Sequence, residues 1–184
     1  GLARDQAGFI VSANKYGAAF GALLATFIVK KVAWRKTILF LFILMIIVDL
    51  TSSLITSASS LIYIRFFHGT IGGLSVGIGL SIIARTYNPD KIFGMLLVVQ
   101  YSFGSIGIFT VPRLVDSFGH GAVFGVLILF TLMTILILPF VPDVREPDNK
   151  KIKFSLNINY FLLLALAGLF LFQSSNMGVA DYAF

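Results

Sequence analysis

The stretch TILFLFILMIIVDLTSSLITS, residues 37–57, carries a single charged side chain, Asp49, over 21 residues. A membrane-spanning helix needs about 20 mostly apolar residues, whereas a barrel strand needs about 10 and alternates apolar with polar. This run is twice a strand's length and apolar on every side. It reads as a helix in lipid, where each backbone N–H and C=O has to find its partner within the segment.

Similar runs lie on either side. Upstream, past Lys30, Lys31, Arg35 and Lys36, is residues 8–29; downstream, past the tight turn Ser57-Ala-Ser-Ser60, is residues 60–84. Three more follow at 92–114, 120–142 and 158–180, the first behind the breaker Asn88-Pro89-Asp90. The longest gap, 143–157, holds Pro147 and seven charges, with Pro142 just before it, and is not expected to form a helix in lipid. The expected fold is therefore an all-α, polytopic transmembrane helical bundle with six spans.

Composition agrees. Of 184 residues, 58% are hydrophobic and 12% charged, with a mean hydropathy of +0.95, too little polar surface for a water-soluble domain of this length. There are no cysteines, which removes disulfides, thiolate metal sites and cysteine nucleophiles. The chain begins Gly-Leu-Ala-Arg, without a methionine or a signal-peptide pattern, and ends Asp181-Tyr-Ala-Phe184 without a polar tail. Both ends are expected to be cut points in a longer protein.

The basic residues set an orientation. Lys30, Lys31, Arg35, Lys36, Arg85, Lys91, Arg145, Lys150, Lys151 and Lys153 occupy alternate gaps; the other gaps and the start hold only Arg113 and Arg4. By the positive-inside rule, loops 30–36, 85–91 and 143–157 are expected to be cytoplasmic and residue 1 outside. Trp34, Tyr87 and Tyr160 then fall at the inner interface. A net charge of +6 confined to such loops reports topology and gives no reason to expect nucleic acid.

Three charges fall inside the runs: Lys15, Asp49 and Arg65. Counted from the outer ends of their spans, all three lie roughly 8–12 Å deep. A charge there costs about 2 kcal/mol or more unless paired or wetted. One reading is a structural ion pair joining Asp49 to Arg65 or Lys15. The other places Arg65 in an aqueous cavity, binding an anionic substrate or sharing in proton coupling. Lys15 can also snorkel to the outer surface. His68, three residues after Arg65, shares its helix face and can titrate near neutral pH, or serve only as a hydrogen-bonded packing residue.

Gly69, Gly73 and Gly77 follow Arg65 at four-residue intervals, and Gly17 and Gly21 do the same in the first run. Small residues at this spacing let helix backbones approach closely. The last run turns polar at Gln173, Ser174, Ser175 and Asn176, near the expected midplane. Gln173 and Asn176 are therefore substrate-site candidates, with hydrogen bonding between helices as the other reading.

No phosphate-cradling Gly-rich loop ends in Gly-Lys-Ser/Thr. With only His68 and His120 and no cysteine, no metal site is legible, and no cofactor is expected. No nucleophile–histidine–acid spacing stands out, so an enzyme is not the expected class.

The order of features resembles the major facilitator superfamily. Gly21-Ala-Leu-Leu-Ala-Thr, leading into Lys30-Lys31 and Arg35-Lys36, is similar to that family's glycine-plus-basic loop between its second and third helices. Ala25 stands where the family usually has an acid, and the loop glycine is missing. Arg65-Phe-Phe-His-Gly69-Thr-Ile-Gly-Gly73 resembles the arginine–glycine motif of the fourth helix. Gly104-Ser-Ile-Gly107 before Pro112 resembles the glycine–proline pattern of the fifth, with Gly104 and Gly107 as packing glycines. The stretch Asp116–Phe124 resembles the outer turn into the sixth helix.

The resemblance implies that these spans are family helices two to seven. Residues 1–142 would belong to the amino-terminal half without its first helix, 143–157 to the central cytoplasmic loop, and 158–184 to the first helix of the carboxy-terminal half. It implies secondary active transport of a small solute by alternating access, coupled to an ion or proton, in a plasma or inner membrane. The implied partners are a small-molecule solute, the lipid bilayer and a proton. Arg65 alone inherits the cavity and proton-transfer role; His68, Gln173 and Asn176 are further candidates, and Asp49 and Lys15 supporting residues, from their own positions in the runs. A non-transporting membrane scaffold or subunit is the alternative.

Overall fold

The computed structural model describes residues 4–55, 57–119 and 121–141, with side chains from residue 8 onward. These lie in one compact unit, 1–146. The expected central loop 143–157, the sixth span 158–180, Gln173, Asn176 and His120 lie outside the described residues.

Five α-helices follow one another: α1 Arg4–Ile28, α2 Trp34–Leu54, α3 Ala58–Ile83, α4 Pro89–Phe118 and α5 Gly121–Ile137. A single 3-10 turn, Leu138–Phe140, closes the last. The boundaries expected from hydropathy shift by a few residues, most of all in α4. There the breaker Asn88-Pro89-Asp90 begins the helix instead of preceding it. Pro89 occupies the first helical position, where no N–H partner is needed, and Asp90 places a negative charge at the positive end of the helix dipole. At the other end α4 runs through Pro112, Arg113 and Asp116 to Gly119, whose backbone is at φ 77° and ψ 178°. That region is open essentially to glycine alone, and it turns the chain sharply into α5.

By length and composition α2, α3, α4 and α5 with its 3-10 turn can each cross a membrane. At about 37 Å α1 is long enough, but its polar first turn and Asn14-Lys15 leave it less apolar than those four. The described residues therefore establish four candidate spans, and the expected count of six stays open. Phe40, Ile47, Val98, Phe109 and Leu136 are exposed. Continuous apolar surface of this kind is what a lipid solvent accommodates and water does not.

The central helix is α3, which packs against α1, α2 and, lightly, α4. α1 runs along α3 in preference to its sequence neighbour α2, and the glycines explain why. A Cβ on Gly17 would fall on the backbone carbonyl of Phe66, one on Gly21 on that of Thr70, one on Gly69 on that of Asn14, and one on Gly73 on that of Ala18. Gly77 faces the methyl of Ala25. Numbers rise together on both helices, so α1 and α3 are parallel, with α2 returning antiparallel. Two glycine stripes interleave, each giving the other's backbone room. Ala25, where an acid was looked for, is 2% exposed and part of this contact. Gly104 and Gly107 differ. A Cβ on either meets nothing within 4 Å, so α1–α5 do not supply the packing partner expected of them.

On the other side of α3, Ile71 and Ile78 meet Ile38 and Leu41 of α2 in an apolar core bordered by Trp34, Met45 and Leu138. Arg35 stacks over the Trp34 ring at 5.2 Å and donates from Nη2 to the Val141 carbonyl, tying the start of α2 to the end of the 3-10 turn.

Candidate functional site

Toward the end of the bundle where α1, α3 and α5 begin, three helices bring polar groups together and α5 adds an aromatic ring. Asp49 lies about 8 Å from the C-terminal end of α2 and Arg65 about 10 Å from the start of α3. Asp49 is fully buried. Its Oδ1 lies 3.6 Å from Arg65 Nη2 and 3.3 Å from His68 Nε2. His68 and Arg65 are thus on one face of α3, as their three-residue spacing demands, and they converge on the same carboxylate oxygen.

Two further residues complete the array. Asn14 of α1 sets its Oδ1 3.2 Å from His68 Nδ1. Phe124 of α5 lies under the guanidinium of Arg65, ring centre to Cζ 4.7 Å, a cation–π contact that gains strength out of water. Asn14, His68, Asp49, Arg65 and Phe124 form one chain of contacts across α1, α3, α2 and α5.

The cluster is closely spaced but under-bonded. Both oxygens of Asp49, Nη2 of Arg65 and Nε2 of His68 are buried and lack a hydrogen bond of good geometry among the described residues. The Arg65 contact at 3.6 Å is too long for a hydrogen bond, and the His68 contact at 3.3 Å lacks the geometry of one. Other buried polar groups are handled differently. Ser52 donates to the Val48 carbonyl at 2.7 Å, Ser75 to Ile71 at 2.9 Å and Thr131 to Leu127 at 2.9 Å. These hydroxyls are satisfied within their own helices, whereas the ionic cluster is not. Buried pairs that act purely as glue need excellent geometry to offset desolvation. This one has spare bonding capacity on every member.

Asp49 was expected to meet Arg65 or Lys15. Its carboxylate lies beside Arg65 and His68, and Lys15 is half-buried on α1 next to Asn14. Gly17, Gly21, Gly69, Gly73 and Gly77 line the α1–α3 contact. Asn14 and Phe124 escaped sequence reading. Asn14 had a signal, an amide within an apolar run one residue from Lys15. Phe124 had none, because a phenylalanine among apolar residues looks like lipid-facing bulk. Among the described residues no cluster of three or more histidine, cysteine or acidic side chains could hold a metal ion.

The model of the Major Facilitator Superfamily matches residues 1–183. The chain belongs to that superfamily. Its members are membrane transporters, so membrane transport of a solute is the activity the superfamily gives this chain, as an integral membrane protein. Neither curated proteins nor solved structures yield a match. Within the superfamily framework, the buried cluster on α1, α2, α3 and α5 is the candidate working centre.

Proposed function

We propose that the protein is a secondary active transporter that moves a small solute by alternating access, coupled to an ion or proton, with Arg65 at its centre. The single observation that carries this is the fully buried Asp49 carboxylate, shared between Arg65 and His68 and hydrogen-bonded to neither. A buried charge held this loosely is poised to exchange partners, and exchange of partners is what a transport cycle requires. Solute binding shifts inward- and outward-facing populations only through contacts that differ between them.

In this reading α3 carries the site, α1 slides or rocks with it through the smooth glycine contact, and α2 and α5 supply the counter-charge and the aromatic support. Gln173 and Asn176 are proposed as further contributors to the substrate site, and Asp49 and Lys15 as support for Arg65. Loops 30–36, 85–91 and 143–157 are proposed to be cytoplasmic, in a plasma or inner membrane.

Arg65→Ala in the full-length protein is expected to abolish solute flux in proteoliposomes while leaving membrane insertion unchanged. Undiminished flux in that variant overturns the assignment. The scaffold reading predicts instead that no face of α3 is wetted. Single cysteines placed along 58–83, in a chain without native cysteine, are expected to react with a water-soluble thiol reagent on one helical face. Silence on every face would favour the scaffold.

A further inference from the structure

Arg65 and His68 compete for one oxygen of Asp49, and this competition has a consequence for what the site takes. Asp49 Oδ2 is fully buried and has no hydrogen-bond partner among the described residues, while Oδ1 faces both the Arg65 guanidinium and the His68 imidazole. A carboxylate therefore already stands beside the Arg65 guanidinium, 3.6 Å from Nη2 and without a hydrogen bond to it. A ligand that displaces it has to offer Arg65 what Asp49 offers, a planar oxyanion able to accept from its N–H groups. The guanidinium face is covered by Phe124 and its Nη2 edge by Asp49, and the side chain keeps 12% exposure. A ligand that replaces Asp49 takes that Nη2 edge.

Charge balance limits the ligand further. With His68 neutral, Asp49 and Arg65 cancel. If a monoanion takes Arg65, Asp49 is stranded with one uncompensated negative charge in a low-dielectric site, a state costing several kcal/mol. His68 removes that cost by taking one proton from the aqueous side, since its Nε2 already faces Asp49 Oδ1 at 3.3 Å. The sum returns to zero: anion and carboxylate each −1, guanidinium and imidazolium each +1. A dianion would leave the trio unbalanced.

Asn14 fits this exchange. When His68 is protonated, Nδ1–H donates to Asn14 Oδ1, the oxygen placed 3.2 Å away. When His68 is neutral with its proton on Nε2, the Asn14 amide turned over donates to Nδ1 instead. One side chain serves both protonation states without an orphaned group. Among the described side chains, the other charged or titratable ones on these helices are Tyr16 and the half-buried Lys15 on α1, Tyr63 on α3, and, on α4, Asp90 and Lys91 at its far end, Tyr101, Arg113 and Asp116. The last two are exposed, and so are Tyr16 and Tyr63. α2 otherwise carries Arg35 and Lys36 at its opposite end, and α5 carries no charge.

We infer that the site binds a monocarboxylate at Arg65 in place of Asp49, and that His68 takes up one proton as it does so. This inference rests on the transport reading above and deepens it.

The test is calorimetric titration of the full-length protein in nanodiscs with matched probes: acetate and acetamide, benzoate and benzamide, and the corresponding primary amines. Each titration is run in two buffers of different ionisation enthalpy, which reports protons taken up on binding. Binding of a carboxylate but not its amide, with about one proton per anion, is the expected result. His68→Gln is expected to bind without proton uptake, and His120→Gln, the control at the other histidine, to behave as wild type. The wild-type proton count stands even if a variant fails to fold. Carboxylates that bind without proton uptake overturn the exchange at His68 and leave the anion class standing. Amides or amines binding where acids do not overturn the anion class. Binding of no probe by a protein that transports some other solute also overturns it and leaves the transport reading intact. A protein that moves no solute fails at the transport reading itself.

Discussion

Asp49 shows where a hydropathy plot stops being sufficient. The plot finds the charge in an apolar run and says that something must compensate it. The structure names two partners on α3 and shows that neither satisfies it. Removing one side of such an arrangement strands the other. Asp49→Ala is expected to destabilise the protein by roughly 3 kcal/mol or more, read as a lowered unfolding midpoint of the purified protein in detergent. Neutralising both partners, Asp49→Asn with Arg65→Gln, is expected to recover most of that loss. If the single variant is as stable as wild type, the carboxylate is solvated and the cluster is not what it is described to be. Arg65 and His68 were legible because a charge and an imidazole stand out among apolar neighbours at helical spacing. Phe124 was not, since its role comes from α5 packing along α2 and so bringing its ring to Arg65, 59 positions away in the chain, which no local pattern announces.

That the glycine faces of α1 and α3 pack closely was legible from their spacing, and the structure adds their partners. What spacing alone could not give was that α1 faces α3 and not α2, because pairing is decided by which two stripes interleave. Gly73→Leu puts a side chain onto the Ala18 backbone, which cannot yield as a flexible side chain would. The expected loss is about 1–3 kcal/mol or more, with reduced cross-linking between cysteines placed on α1 and α3. Gly72→Ala and Gly79→Ala, on the same helix where a Cβ meets nothing within 4 Å, are expected to be neutral in both measurements. Equal damage from all three would mean helix propensity, not close approach, governs the contact. At the end of α4, Gly119→Ala is expected to lose about 1–3 kcal/mol through its positive φ alone, measured by the same thermal unfolding. The start of α4 carries a different lesson. Asn88-Pro89-Asp90 has breaker chemistry in sequence, yet proline and aspartate are also good first-turn residues. The same residues end one element and begin the next, and hydropathy cannot choose the boundary between them.

For the molecule as a whole, the sequence sufficed for a helical bundle in lipid, because apolar length and charge placement are set by the bilayer and not by tertiary detail. The family match confirms the superfamily over residues 1–183. The proposed working centre was only half legible, since it is assembled from four helices and each contributes one or two residues. The central claim is that this assembly is kept for exchange and not for cohesion. The most direct measurement is solute flux in proteoliposomes by the full-length protein carrying the neutral pair Asp49→Asn and Arg65→Gln, alongside its unfolding midpoint. The account predicts a midpoint near wild type with flux lost. A folded neutral pair that transports at the wild-type rate would contradict it and leave the cluster a structural ion pair.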